Sequence, residues 1–204
     1  MHTYKKVERG TPLEKADKAI ILIHGRGAPP DDILSLADFF ETENTYVVAP
    51  EANQYVWYPL SFLALRAQNQ PWLDSAIENI TRLIRTIEEQ IPAENIYLMG
   101  FSQGACLTSE IASANARKFG GIAVFTGGLI GATVEKENYS GNFNGTKVYL
   151  SNGDNDPHIP LQRTEDTYKL MQNLGADITK EIFPGRPHTI QMEEIEKVKE
   201  LFGL

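Results

Sequence analysis

A serine set between two closely spaced glycines, in Gly100-Phe101-Ser102-Gln103-Gly104, is the stretch of this chain best suited to covalent chemistry. A serine hydroxyl is a weak nucleophile near neutral pH. It attacks a carbonyl only when a base takes its proton and when donors already point at the developing oxyanion. Glycines two residues before and two after the serine fit a turn too tight for side chains at those places. Base and acid must then come from elsewhere in the chain. Downstream lie Asn152-Gly153-Asp154-Asn155-Asp156-Pro157 and Pro184-Gly185-Arg186-Pro187-His188. Histidine suits the base because free imidazole, with a pKa of about 6.5, is largely neutral at pH 7. An aspartate beside it fixes its tautomer and stabilises the imidazolium. The order serine, aspartate, histidine is the one expected when such a turn sits on an α/β sheet.

Such a turn needs a buried strand before it and a helix after it, and the flanks supply both. Residues 95–99 are an apolar run suited to a strand covered on both faces, and the small-residue run 105–116 suits a helix packed closely on a sheet. Further apolar runs predict central strands at 18–23, 46–49, 121–125 and 147–151, and alternation predicts one at 177–183. Residues 3–8 read as an outer antiparallel strand. Between the strands, helical spacing predicts helices over 33–40, capped by Asp31 or Asp32, over 73–91 ending at Pro92, over 161–174, and over 192–202. Strands alternating with helices argue for an α/β fold, a mostly parallel sheet covered by helices on both faces. In such a sheet the loops at the carboxyl ends of the strands share one edge, where ligands bind. The irregular apolar stretch 50–70, with Trp57, Tyr58, Phe62 and Leu63, is expected to wall a pocket there.

Composition narrows the function classes. At 204 residues the chain predicts one domain over 1–204, able to bury roughly 70% of its unfolded surface. A net charge of −8 disfavours nucleic acid, whose binding draws on clustered Lys and Arg. No apolar run reaches the length of a membrane span. The single cysteine, Cys106, reads as a small core residue, and with no apolar signal segment in residues 1–18 the expectation is a reducing cytoplasm. No Cys/His spacing predicts a metal site. The glycosylation patterns at Asn79, Asn138 and Asn144 are read as chance matches in that setting.

Four pieces together are more specific than any one: His24-Gly25-Arg26-Gly27, the stretch from Gly100 to Ala105, the run from Gly153 to Pro160 (GDNDPHIP), and Gly185-Arg186-Pro187-His188. On these residues the chain resembles, over nearly its whole length, the phospholipase/carboxylesterase family of α/β-hydrolases, which includes the acyl-protein thioesterases. The resemblance implies an α/β-hydrolase fold without a large lid, Ser102 as nucleophile, Asp156 as acid and His188 as base. Gln103 N–H, directly after the nucleophile, is one expected oxyanion donor; the family pattern places the other at the backbone of Arg26. The implied activity is cleavage of carboxylic esters of small or medium acyl groups through an acyl-serine intermediate, without metal or organic cofactor. An acyl-protein thioesterase or lysophospholipase with a long-chain acyl site is the nearest alternative, and a non-catalytic binding protein of the same fold a further one. The partner is a small ester or thioester, and both monomer and homodimer stay open.

The remaining reactive residues have competing readings. Asp154 is a rival acid that could instead shape its turn. His158 reads as a loop residue, His24 as a brace for the 24–27 loop, His2 as disordered and Trp72 as packing. Arg26 and Arg186 could flank one pocket and select an anionic substrate, or both could face solvent.

Overall fold

The computed structural model describes residues 1–204. Its centre is a seven-stranded sheet made of β1 (Lys6–Gly10), β2 (Lys18–Ile23), β3 (Thr45–Pro50), β4 (Ile96–Phe101), β5 (Gly121–Phe125), β6 (Lys147–Gly153) and β7 (Asp177–Phe183), in the order β1-β3-β2-β4-β5-β6-β7. β1 pairs antiparallel with β3, and every other pair is parallel. The chain first moves outward from β2 to β3, then returns to place β4 on the other side of β2. That reversal opens a crevice beyond the carboxyl ends of β2 and β4, and the serine turn follows β4 directly.

Alternation along each buried strand feeds two cores. Ile21, Ile23, Val48, Leu98, Val124 and Leu150 face one side, where they meet α3 (Trp72–Glu88), α4 (Gln103–Ala114) and α5 (Leu161–Asn173). Ile20, Leu22, Val47, Met99, Phe125 and Tyr149 face the other, against α1 (Pro30–Leu34) and α6 (Met192–Phe202). Helices therefore cover both faces, which is why the central strands are apolar at consecutive positions.

Local departures from the expected elements have plain causes. The helix expected at 33–40 divides into α1 and a 3₁₀ segment, Ser35–Phe39. Pro29 precedes it and Pro30 starts it, while Asp31 and Asp32 lie in its first turn, favourably placed at the helix dipole rather than as caps. The outer strand begins at Lys6 rather than residue 3, because its pairing with β3 starts there, Lys6 opposite Pro50. Within the irregular stretch 50–70 a 3₁₀ segment, Asn53–Tyr55, and one short α-helix, α2 (Arg66–Asn69), form.

Candidate active site

Ser102 stands between β4 and α4 with φ 56° and ψ −118°, a strained combination for a residue with a side chain. Close packing explains the two glycines. A methyl carbon on Gly100 would lie 2.4 Å from the Gly104 carbonyl oxygen, and one on Gly104 would lie 2.0 Å from the Ile23 carbonyl oxygen. Neither position accepts a side chain while the turn keeps this shape. The result is a serine lifted off the sheet edge, with α4 starting immediately behind it.

His188 arrives from the loop after β7. Its Nε2 lies 2.7 Å from Ser102 Oγ, and its Nδ1 lies 2.7 Å from Asp156 Oδ2. Asp156 is in the loop after β6, its side chain fully buried. The other carboxylate oxygen accepts hydrogen bonds from the backbone N–H groups of His158 at 2.8 Å and Ile159 at 3.1 Å. Those donors hold the carboxylate in place beside the histidine. Asp154 takes the turn-shaping place: its Oδ1 accepts the Gly185 N–H at 2.5 Å, tying the aspartate loop to the histidine loop. Phe101 lies against the His188 ring, centroids 5.0 Å apart, and His158 meets the same ring edge-on, also at 5.0 Å.

The 24–27 loop runs beside Ser102. His24 is fully buried and stacks on Trp57 with ring centroids 4.9 Å apart. Its Nε2 accepts the Ala52 N–H at 3.1 Å, so the neutral ring carries its proton on Nδ1 and donates to Gly25 O at 2.8 Å. Burial pushes the His24 pKa down, which keeps that neutral form. Trp57 Nε1–H in turn donates to His24 O at 3.0 Å. Gln103 clamps the neighbouring stretch through its side chain, accepting from Trp57 N–H and donating to Tyr58 O, both at 2.9 Å. As the first residue of α4, Gln103 has a backbone N–H with no carbonyl one turn back in the helix to bond.

These elements line a half-open cavity of about 440 Å³ reached by Ser102, Gln103, His188, Arg26, Tyr58 and Phe62, with Cys106 and Ile159 also in its wall. The arrangement can deprotonate a serine and present it to a carbonyl in a partly polar cleft.

The sequence model of the phospholipase/carboxylesterase family matches residues 3–202. The chain belongs to this family. Among solved structures, it is 43% identical to a phospholipase/carboxylesterase from Dyadobacter fermentans, with a TM-score of 0.97, covering 100% of this chain and 98% of that one. A probable carboxylesterase from Oryza sativa is 26% identical over 86% of this chain and 73% of its own length. Acyl-protein thioesterase 1 from Kluyveromyces lactis is 30% identical over 61% of this chain, a match spanning 56% of that protein. As a member of this family, the chain is an α/β-hydrolase and a carboxylic ester hydrolase. No helix in it is long and apolar enough to cross a membrane.

Several residues lie elsewhere than the sequence suggests. Arg186 neither flanks the pocket nor faces solvent. It is buried, it pairs with Glu193, it donates to Glu194 at 2.8 Å, and its guanidinium covers the Phe183 ring at 3.4 Å. The proline and glycine around it hid this role, because the partners lie on α6, beyond the loop. Trp57 is buried behind the 24–27 loop rather than on the cavity wall, and Leu63 packs against the core. His2 packs on the fold: its ring donates through Nε2–H to Trp57 O (2.8 Å), accepts the Asn53 N–H at Nδ1 (3.0 Å), and lies against Trp57 and Trp72. His158 stays a loop residue, with His188 in the base's place, and it also lines the cavity. Cys106 is fully buried yet reaches the cavity wall; its place one helical turn after Ser102 was the available signal. Arg26 does reach the cavity, but its guanidinium donates to Pro59 O at 2.9 Å and Leu60 O at 2.7 Å.

Arg186→Ala is expected to lower stability by about 3–5 kcal/mol, because it leaves the buried Glu194 carboxylate without its cation. Denaturant unfolding measures that loss. The ratio of rates on neutral and anionic esters is expected to stay unchanged in folded protein.

Proposed function

We propose that this chain hydrolyses carboxylic esters of small or medium acyl groups, within a single domain, by a two-step acyl transfer. Ser102 attacks the ester carbonyl while His188 takes its proton; Asp156 holds the imidazole in the accepting tautomer and stabilises the imidazolium. The N–H groups of Gln103 and Arg26 receive the oxyanion. His188 then gives its proton to the departing alcohol, and water, activated by the same imidazole, releases the acid. The observation that carries this reading is the unbroken hydrogen-bonded line from Ser102 Oγ through His188 to the buried Asp156 carboxylate.

The cavity supports the acyl-size part. Cys106 and Tyr58, both almost fully buried, stand in its wall, and its volume of about 440 Å³ includes the space for the alcohol. The free, buried thiol of Cys106 supports a reducing, cytoplasmic setting. A series of p-nitrophenyl esters tests the size preference: kcat/KM should peak between acetyl and hexanoyl and fall by at least about tenfold at palmitoyl, at substrate concentrations below micelle formation. A rise towards palmitoyl would favour a long-chain thioesterase or lysophospholipase instead.

A further inference from the structure

The loop that carries the Arg26 N–H is supported at both ends, and both supports lead to His2. At one end the Gly27 N–H donates at 2.7 Å to the carbonyl of Tyr55, which closes the 3₁₀ segment Asn53–Tyr55. Gln54 and Tyr55 have φ of 53° and 59°, a left-handed backbone without glycine that persists only where its surroundings hold it. At the head of that segment the Asn53 N–H donates to His2 Nδ1 at 3.0 Å. At the other end of the loop, the Trp57 indole stacks on His24 and its N–H donates to His24 O at 3.0 Å. Trp57 is fully buried, and its own carbonyl accepts the His2 Nε2–H at 2.8 Å.

One imidazole therefore meets two separate supports of the same loop. A carbonyl only accepts and an N–H only donates, so the ring is neutral with its proton on Nε2. Burial lowers the His2 pKa, which keeps Nδ1 free to accept. The residue is anchored as well, since its backbone N–H donates to Ser75 Oγ on α3 at 3.0 Å and its ring packs 5.5 Å from that of Trp72. His2 does not line the cavity, so what it contributes to turnover passes through the loop. Resting on the esterase reading above, in which the Arg26 N–H receives the oxyanion, we propose that His2 is a positioning residue: its two ring hydrogen bonds hold the 24–27 loop in the shape that aims that N–H. The donor acts once negative charge has developed, so loosening it slows the reaction without weakening ester binding.

His2→Phe keeps an aromatic ring at this place and loses both hydrogen bonds. Its kcat on p-nitrophenyl butyrate should fall about tenfold, a part of the roughly 100- to 1,000-fold that complete loss of one oxyanion donor costs. KM should stay level, because acylation and deacylation both pass through an oxyanion and slow alike. His2→Gln, whose amide offers one donor and one acceptor, should return kcat to within about threefold of wild type. Butylboronic acid bonds through boron to Ser102 Oγ as the serine proton passes to His188, and places a boron-bound oxygen where the oxyanion forms. Its affinity should fall in His2→Phe by the same factor as kcat. A kcat within about twofold of wild type in His2→Phe overturns the proposal. So does a fall that His2→Gln fails to restore, or one that leaves the boronate affinity unchanged, which marks a general disturbance of the fold. Absence of turnover by the wild type on any ester would instead remove the esterase reading itself.

Discussion

Ser102→Ala lowers kcat for ester hydrolysis by about a millionfold, with little change in stability. That factor is typical when the nucleophile of a cooperating serine, histidine and aspartate is removed, and the other two residues then contribute almost nothing more. The turn itself should survive. The positive φ at Ser102 is imposed by the packing of Gly100 and Gly104 against neighbouring backbone, which alanine does not disturb. Initial rates at saturating p-nitrophenyl butyrate, with thermal unfolding measured beside them, separate lost chemistry from lost fold. The double variant Ser102→Ala with His188→Ala is expected to be no slower than Ser102→Ala alone, since the base acts only through the serine.

Asp156→Asn lowers kcat by about 10,000-fold, and Asp154→Asn by less than about tenfold. Two acids, two residues apart, give opposite results because their oxygens do different things. An asparagine at 156 keeps one oxygen for the His158 and Ile159 N–H groups, so its amide nitrogen turns towards His188 Nδ1. That nitrogen donates, which favours the tautomer carrying its proton on Nε2, facing the serine and unable to accept from it. At 154 the partner is a backbone N–H, and an asparagine oxygen accepts it as a carboxylate oxygen does. Equal losses at both positions would show that the loop, and not the charge beside His188, is what matters.

How the chain signals this arrangement differs from residue to residue. That Ser102, an aspartate after β6 and His188 would meet was legible, since each sits just past a strand that is apolar enough to be placed by pattern alone, and parallel pairing brings those ends together. The brace at His24 was legible from its place at the end of β2. By contrast, the partners of Arg186 lie across its loop on the helix that follows and those of His2 come from far along the chain, and no local periodicity records either. The 50–70 stretch shows the same limit. Its large side chains lack a period, so the sequence could mark it as a wall without telling Tyr58 and Phe62, on the cavity, from Trp57 and Leu63, behind it. Which face a residue takes in irregular backbone is decided by contacts such as the Gln103 clamp, and those are tertiary.

The central claim is that the acyl group passes through Ser102. Rapid mixing of the protein with p-nitrophenyl acetate, followed by an acid quench and peptide mapping by mass spectrometry, tests it most directly. Within the burst of p-nitrophenol release, the account predicts one acetyl group per chain, on Ser102, absent from Ser102→Ala and lost as the acid is released. Continued turnover with no acetyl on Ser102, or with the acetyl on another residue, would contradict it.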